Sequence, residues 1–220
     1  VKGQVKRFET GIIVTHWVYA VAFLALLATG IGFEYKSLAF LLGPAARLIH
    51  RIGAVVMFIT PATYFLISPL VSLKNLKEIF FWSKDDVLWL IKAPGHYMLG
   101  KGDMPPAGMY NAGQKLNYMI VVLSGTTFIV SGAIMWFLRT PALVLAQRDL
   151  FRGAVIAHGI AFYVGVTMFT LHLYLSLIHP FTKQAITAML TGYVSRSYAQ
   201  LHHPKWLAQI DEGRHTTTAD

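Results

Sequence analysis

The fold predicted by this 220-residue sequence is all-α: an integral-membrane four-helix bundle with an interfacial helix between its second and third spans. Three observations carry that expectation. Hydrophobic residues make up 55% of the chain and charged ones 13%, about half the roughly 25% of a soluble domain. Charge-free windows of 22, 22, 23 and 30 residues cover 12–33, 52–73, 116–138 and 153–182, and about 20 apolar residues suffice to cross a bilayer core as a helix. Mean hydropathy is +0.52, which excludes the low-hydrophobicity, high-charge composition of a disordered chain. Barrel strands need only about 10 residues of alternating pattern, so windows this long read as helices.

The elements follow in order. The first span, at about 12–33, is too long for a signal peptide and lacks a small-x-small cleavage pattern. Gly43-Pro44 precedes the second span. Proline is tolerated in a first helical turn, which places that helix at about 45–73, and Pro61 inside it predicts a kink. The next connection is long for a bundle. Its 73–91 stretch mixes aromatics with lysines and reads as an interfacial helix, and 93–115 reads as a glycine- and proline-rich loop. The third and fourth spans are expected at about 115–138 and 152–179, bounded by Pro141 and Pro180. Residues 1–200 thus form the membrane domain, and 201–220 a C-terminal tail ending in an unstructured HTTTAD.

Charge sets the direction. Thirteen of the nineteen Lys and Arg fall with the termini and the 2–3 connection; only Lys36, Arg47, Arg51, Arg139, Arg148 and Arg152 fall on the opposite side. The positive-inside rule then predicts both termini on the cytoplasmic side. The net charge of +9 is read as this label and not as a nucleic-acid footprint. The chain has no cysteine, which excludes disulfides, Cys-ligated iron–sulfur clusters, thiolate zinc and covalently attached c-type haem.

Nine histidines remain as metal-capable side chains. Four lie within the spans, where ionisable residues are expensive and usually functional. The topology puts His16 and His172 near the inner face, and His50 and His158 near the outer face. Fourteen residues bring His172 within about 40° of the face carrying His158, about 21 Å further along the helix. Two histidines at each of two depths suit two stacked b-type haems, whose iron accepts neutral imidazole on both sides. A lone intramembrane histidine more often bonds a neighbouring helix, but two depth-matched pairs on three helices favour haem. Zinc is a weaker reading, because His158 and His172 are too far apart to share an ion. Gly165, midway between those two histidines, and Gly53 beside His50 suggest clearance for a porphyrin edge; Gly125 and Gly132 fit ordinary helix packing equally well. Arg47 and Arg51 are candidates for the outer haem's propionates; Arg7 lies near the inner one, where positive-inside statistics and interface anchoring explain it equally well. His179 is expected as a helix-end polar residue, with a quinone or proton role as the alternative. His96, His202, His203 and His215 are expected to be solvated.

The order His16, His50, His158, His172, together with GMYNAGQKLNY at 108–118, resembles the cytochrome b (gamma) subunit of membrane-bound respiratory formate dehydrogenases, over roughly residues 6–193. Hydrogenase cytochromes b share the architecture. The resemblance implies two haems b, the outer on His50 and His158 and the inner on His16 and His172. It also implies a quinone (menaquinone or ubiquinone) site at Asn111, Gly113, Gln114 and His172. Partners would be an iron–sulfur electron-transfer subunit, a catalytic subunit that itself oxidises formate, the quinone and the lipid bilayer of a prokaryotic cytoplasmic (inner) membrane. The chain would be the electron-transfer and quinone-reactive part of an oxidoreductase. A different donor, such as a hydrogenase or a sulfur-compound oxidoreductase, keeps the same chemistry, whereas a haem-free proton-coupled transporter would not.

Overall fold

The computed structural model describes residues 3–35, 43–182 and 184–217. Lys36, Lys183 and residues 218–220 lie outside the described residues, as do the side chains of Arg214 and His215. The four spans are present as helices long and apolar enough to cross a membrane: α1 (Thr10–Glu34), α2 (Ala46–Ile67), α5 (Ala112–Phe137) and α7 (Arg148–Leu173), the last continued by a π-helical turn, Tyr174–Ile178. Between and after them run α3 (Pro69–Phe80), α4 (Lys84–Leu99), α6 (Pro141–Ala146), α8 (Gln184–Thr191), α9 (Arg196–His202) and α10 (Pro204–Thr217). The protein is an all-α integral membrane protein built on a four-helix bundle.

Two compact units divide the chain. The first comprises Thr10–Pro69 and Ile120–Leu173, and the second Val1–Glu9, Leu70–Met119 and Tyr174–Asp220. In the first, α1 and α2 pack closely. Gly53 makes this possible, because a Cβ there would lie 3.1 Å from Leu26 Cγ and 3.5 Å from the Ala22 carbonyl oxygen. Gly53 is therefore a helix-packing position, and the expectation of porphyrin clearance there gives way to an ordinary contact. Large apolar side chains such as Val21, Leu24, Leu66 and Ile160 stay exposed on the helices, as lipid-facing residues do.

The second unit departs most from the sequence expectation. The second span ends at Ile67, six residues early, because Pro69 follows and the residue before a proline is driven out of helical conformation; Ser68 sits at φ −132°. The expected interfacial helix is two helices, α3 and α4, broken at residues 81–83. Ser83 caps α4 in a reciprocal box with Asp86, satisfying N-terminal donors. The expected loop from residue 93 is helical up to Leu99, with Pro94 inside α4. Packing outweighs local propensity there: the Trp89 and Tyr97 rings meet at 5.7 Å, and Gly100 stops the helix at φ +63°. The third span starts three residues early, at Ala112. Lys115 is compatible with burial because its ammonium donates to Asp86 (3.1 Å) and to the Phe81 carbonyl (3.0 Å).

The expected C-terminal tail is folded. Two strands, β1 (Gln4–Lys6) and β2 (Tyr193–Ser195), pair antiparallel with Val5 opposite Val194, both buried. Beyond them α9 and α10 bury Ala199, Trp206 and Leu207, and α10 runs through HTT of the terminal HTTTAD.

Candidate haem site and quinone-reactive loop

The four intramembrane histidines meet as two pairs within the helical bundle. His16 on α1 faces His172 on α7 with ring centroids 6.4 Å apart. His50, in the N-terminal part of α2, faces His158 on α7, also at 6.4 Å. That spacing has a chemical meaning. Two metal–nitrogen bonds of about 2 Å, extended by about 1.2 Å from each nitrogen to its ring centre, span about 6.4 Å. Rings in van der Waals contact would stack closer, and rings sharing a hydrogen bond would not need the same distance twice. Among the described residues no group of three or more His, Asp or Glu is placed to hold a metal ion, which sets the pairs apart from structural zinc sites with their four ligands.

Hydroxyls fix the outer pair. His50 Nδ1 lies 2.7 Å from Thr29 Oγ1, which donates to the Ala25 carbonyl at 2.7 Å. His158 Nδ1 lies 2.9 Å from Ser131 Oγ, which donates to the Thr127 carbonyl. With its one hydrogen on the helix backbone, each hydroxyl accepts from the imidazole. Nδ1–H is thereby set, and the Nε2 lone pair is left for a metal. Thr29 and Ser131 are each 3% exposed. Sequence reasoning missed both, since a hydroxyl bonding four residues back is ordinary in an apolar helix, as Thr60, Thr126 and Thr170 show. On the inner pair, His16 Nδ1 is buried with no hydrogen-bond partner among the described residues.

Aromatic rings line the pairs. Trp17 stands edge-on to His16 at 5.2 Å, Phe33 to His50 at 5.4 Å and Phe128 to His158 at 4.9 Å. A Cβ on Gly132 would meet His158 Cε1 at 3.8 Å, and one on Gly165 would meet Phe128 at the same distance. Gly125 faces the Tyr19 hydroxyl. Arg51 stacks over Trp136 at 4.7 Å; Arg47 and Arg51 are both exposed.

Asn111, Gly113 and Gln114 lie in the second unit, where α5 begins. Asn111 Oδ1 accepts the Gln114 N–H at 2.9 Å, and Gln114 Oε1 accepts the Asn111 N–H at 3.0 Å. The two amides thus form a reciprocal cap through their oxygens. Gly113 lies flat against Trp89, whose ring atoms would be 3.0 Å from an added Cβ. Arg7, 5% exposed, donates to the Met109 carbonyl at 2.9 Å and to Gln114 Oε1 at 3.4 Å. His203, expected to be solvated, is fully buried and bonds the Gly108 carbonyl at 2.9 Å. His96 is on α4 and half-buried, and His202 is half-buried as well. His179 is buried, its Nε2 donating to the Tyr97 carbonyl at 3.1 Å. Burial pushes the Tyr97 hydroxyl up to about 12.

The chain is similar to known membrane cytochromes. The chain is 27% identical to the formate dehydrogenase cytochrome b556(fdo) subunit of Escherichia coli K12, over 95% of this chain and 94% of that one. It is 27% identical to the formate dehydrogenase cytochrome b556 subunit of Haemophilus influenzae, over 92% and 82%. It is 24% identical to the nitrate-inducible cytochrome b556(Fdn) subunit of Escherichia coli K12, over 90% and 87%. The family profile described as prokaryotic cytochrome b561 matches residues 7–192, and with most of its length so covered the chain belongs to the prokaryotic cytochrome b561 family.

Proposed function

We propose that this chain is the di-haem b membrane subunit of a formate dehydrogenase-type respiratory complex, carrying electrons from an iron–sulfur partner subunit to a quinone. The observation that carries the reading is the repeated 6.4 Å spacing of His16 with His172 and of His50 with His158. The names of the curated relatives supply the formate connection.

Haem b held by these pairs would supply reversible one-electron transfer at its iron. The protein's own groups do the rest. His50 and His158 present Nε2 because Thr29 and Ser131 fix their tautomers. Trp17, Phe33 and Phe128 pack edge-on against the rings of His16, His50 and His158. Arg47 and Arg51 offer guanidinium groups to the carboxylates of the outer haem. Quinone reduction takes two electrons and two protons, so its site needs polar groups open to a proton supply. Asn111, Gly113 and Gln114 are assigned to it, with His172 as ligand of the haem that serves it. The amide oxygens are engaged in the helix cap, which leaves the amide N–H groups as donors to a quinone carbonyl. With both termini cytoplasmic, electrons would enter from the outer face and protons from the inner, generating a membrane potential. Formate oxidation and the iron–sulfur clusters belong to partner subunits, since this chain has no cysteine.

Purified protein reduced with dithionite should show a b-type alpha band, and pyridine haemochrome analysis should give two haems per chain. A colourless preparation would sink the cytochrome assignment; one haem per chain would sink the di-haem reading.

A further inference from the structure

The histidines outside the spans are not scattered. His96, His179, His202 and His203 all belong to the second unit, and rings connect them. His202 lies 6.5 Å from His203 and 4.4 Å from Tyr198. His96 and His179 share Tyr97 (5.0 and 5.2 Å) and Phe181 (5.8 and 5.3 Å).

The chemical state of His203 can be read from its bonding. Its Nδ1 meets a carbonyl, Gly108 O, at 2.9 Å, and a carbonyl only accepts. Nδ1 therefore carries the hydrogen, and Nε2 holds a lone pair. Nε2 is buried and has no hydrogen-bond partner among the described residues. An unpaired buried acceptor is costly, and the bond to Gly108 needs only Nδ1.

The groups acting on this imidazole are few. Arg7, at the end of β1, stacks on Trp206 at 5.9 Å, and His203 meets the same ring at 6.3 Å. Tyr198 and His202 approach from α9, with Tyr198 at 6.1 Å. His96 on α4 acts on His202. Burial, reinforced by the Arg7 charge, holds His203 well below the ordinary histidine range and His202 at about 4. Both are neutral bases at physiological pH.

Position gives this base a task. His203 pins Gly108, Lys205 N–H pins the Ala107 carbonyl at 3.2 Å, and Arg7 pins Met109 and Gln114. The loop so held is the one assigned above to the quinone. We propose that His203, reached from the aqueous side through half-buried His202, is the proton-transfer group serving the quinone-reactive loop 107–114; the proposal rests on the quinone reading. Each quinone carbonyl becomes a hydroxyl by gaining one electron, drawn from the iron–sulfur donor by way of the bundle, and one proton from the aqueous phase. Nε2, on the ring edge away from Gly108, accepts each proton and gives it up through water to the quinone side of the loop, returning to its neutral form. His203 thus acts on a bound quinone from behind the loop, as a positioning and relay group.

The test is His203→Asn in the purified complex, with menadione as acceptor. The asparagine amide can still donate to the Gly108 carbonyl but has no basic nitrogen. Wild-type menadiol formation should be level from pH 6 to 8. The variant should be slowed about tenfold or more at pH 8, should recover as pH falls, and should be rescued by added imidazole, while its haem spectrum stays unchanged. His203→Ala should show the same rescue if the base is what matters. A variant with wild-type rate and pH profile overturns the proposal, as does a slowed variant that ignores both pH and imidazole. A wild-type complex that binds haem and never reduces menadione overturns the quinone reading along with it.

Discussion

His50 Nδ1 and Thr29 Oγ1 lie 2.7 Å apart, joining the N-terminal part of α2 to the C-terminal part of α1. The bond decides which imidazole nitrogen is free. Outer groups of this kind typically change metal affinity or activity 10–100-fold when removed. Thr29→Val keeps the shape and deletes the acceptor. It should leave the inner haem intact and weaken the outer one about tenfold, measured by haem titration of the apoprotein. Equal affinity in variant and wild type would show that the threonine serves only the helix backbone.

Each haem should depend on its own pair. His50→Ala and His172→Ala should each retain one haem of two by pyridine haemochrome, and their reduced spectra and midpoint potentials should differ from each other. Retention of two haems in either variant removes that residue from the ligand set.

The histidine pairs were legible because helical periodicity and membrane depth are both written in one dimension. Residue spacing places His158 and His172 on one face, and span direction gives each a partner. Less was legible where distant residues settle the outcome. Lys115 marked the end of a charge-free window, yet it lies inside the helical run because Asp86, 29 residues earlier, neutralises it. Residues 201–220 look polar and loose by composition, but His203, Trp206 and Leu207 are buried through contacts with segments remote in sequence. Thr29 and Ser131 carry no sequence mark that separates them from other hydroxyls bonded to their own helices.

The Asp86–Lys115 pair offers a test of that second unit. Burial pushes the Asp86 carboxyl up, but hydrogen bonds from Ser83 and the Lys115 ammonium overcome this and hold it below its ordinary value. A carboxyl with a lowered folded-state value stabilises above its unfolded value, about 3.9, and loses that contribution as pH falls through the folded value. Asp86→Asn leaves the lysine unpaired and should cost about 3 kcal/mol in detergent-solubilised unfolding. The difference from wild type should be constant from pH 8 to 5 and shrink only below about pH 4.

Orientation is open to direct measurement because the chain has no native cysteine. Lys101 and Arg148 are both exposed and fall on opposite sides in the proposed topology. Lys101→Cys should react with an impermeant maleimide only in inverted vesicles, and Arg148→Cys only in right-side-out spheroplasts. The reverse pattern would place the loop proposed to serve the quinone on the outer face and remove the basis for charge separation.

Gly113 distinguishes packing from quinone chemistry within one residue. An alanine Cβ would press on the Trp89 ring at 3.0 Å, and overpacking of this kind typically costs about 1–3 kcal/mol. Gly113→Ala should therefore lower the unfolding midpoint, and Trp89→Leu in the same chain should restore most of it by opening space. If the glycine serves only the helix contact, menadione reduction recovers together with stability in the double variant. If it also admits the quinone, stability returns while KM for the quinone stays raised, because the methyl group still occupies the approach to the Asn111 and Gln114 amides. The two readings thus part at a single comparison: the midpoint and the KM move together under packing alone and separate when the glycine is part of the binding surface.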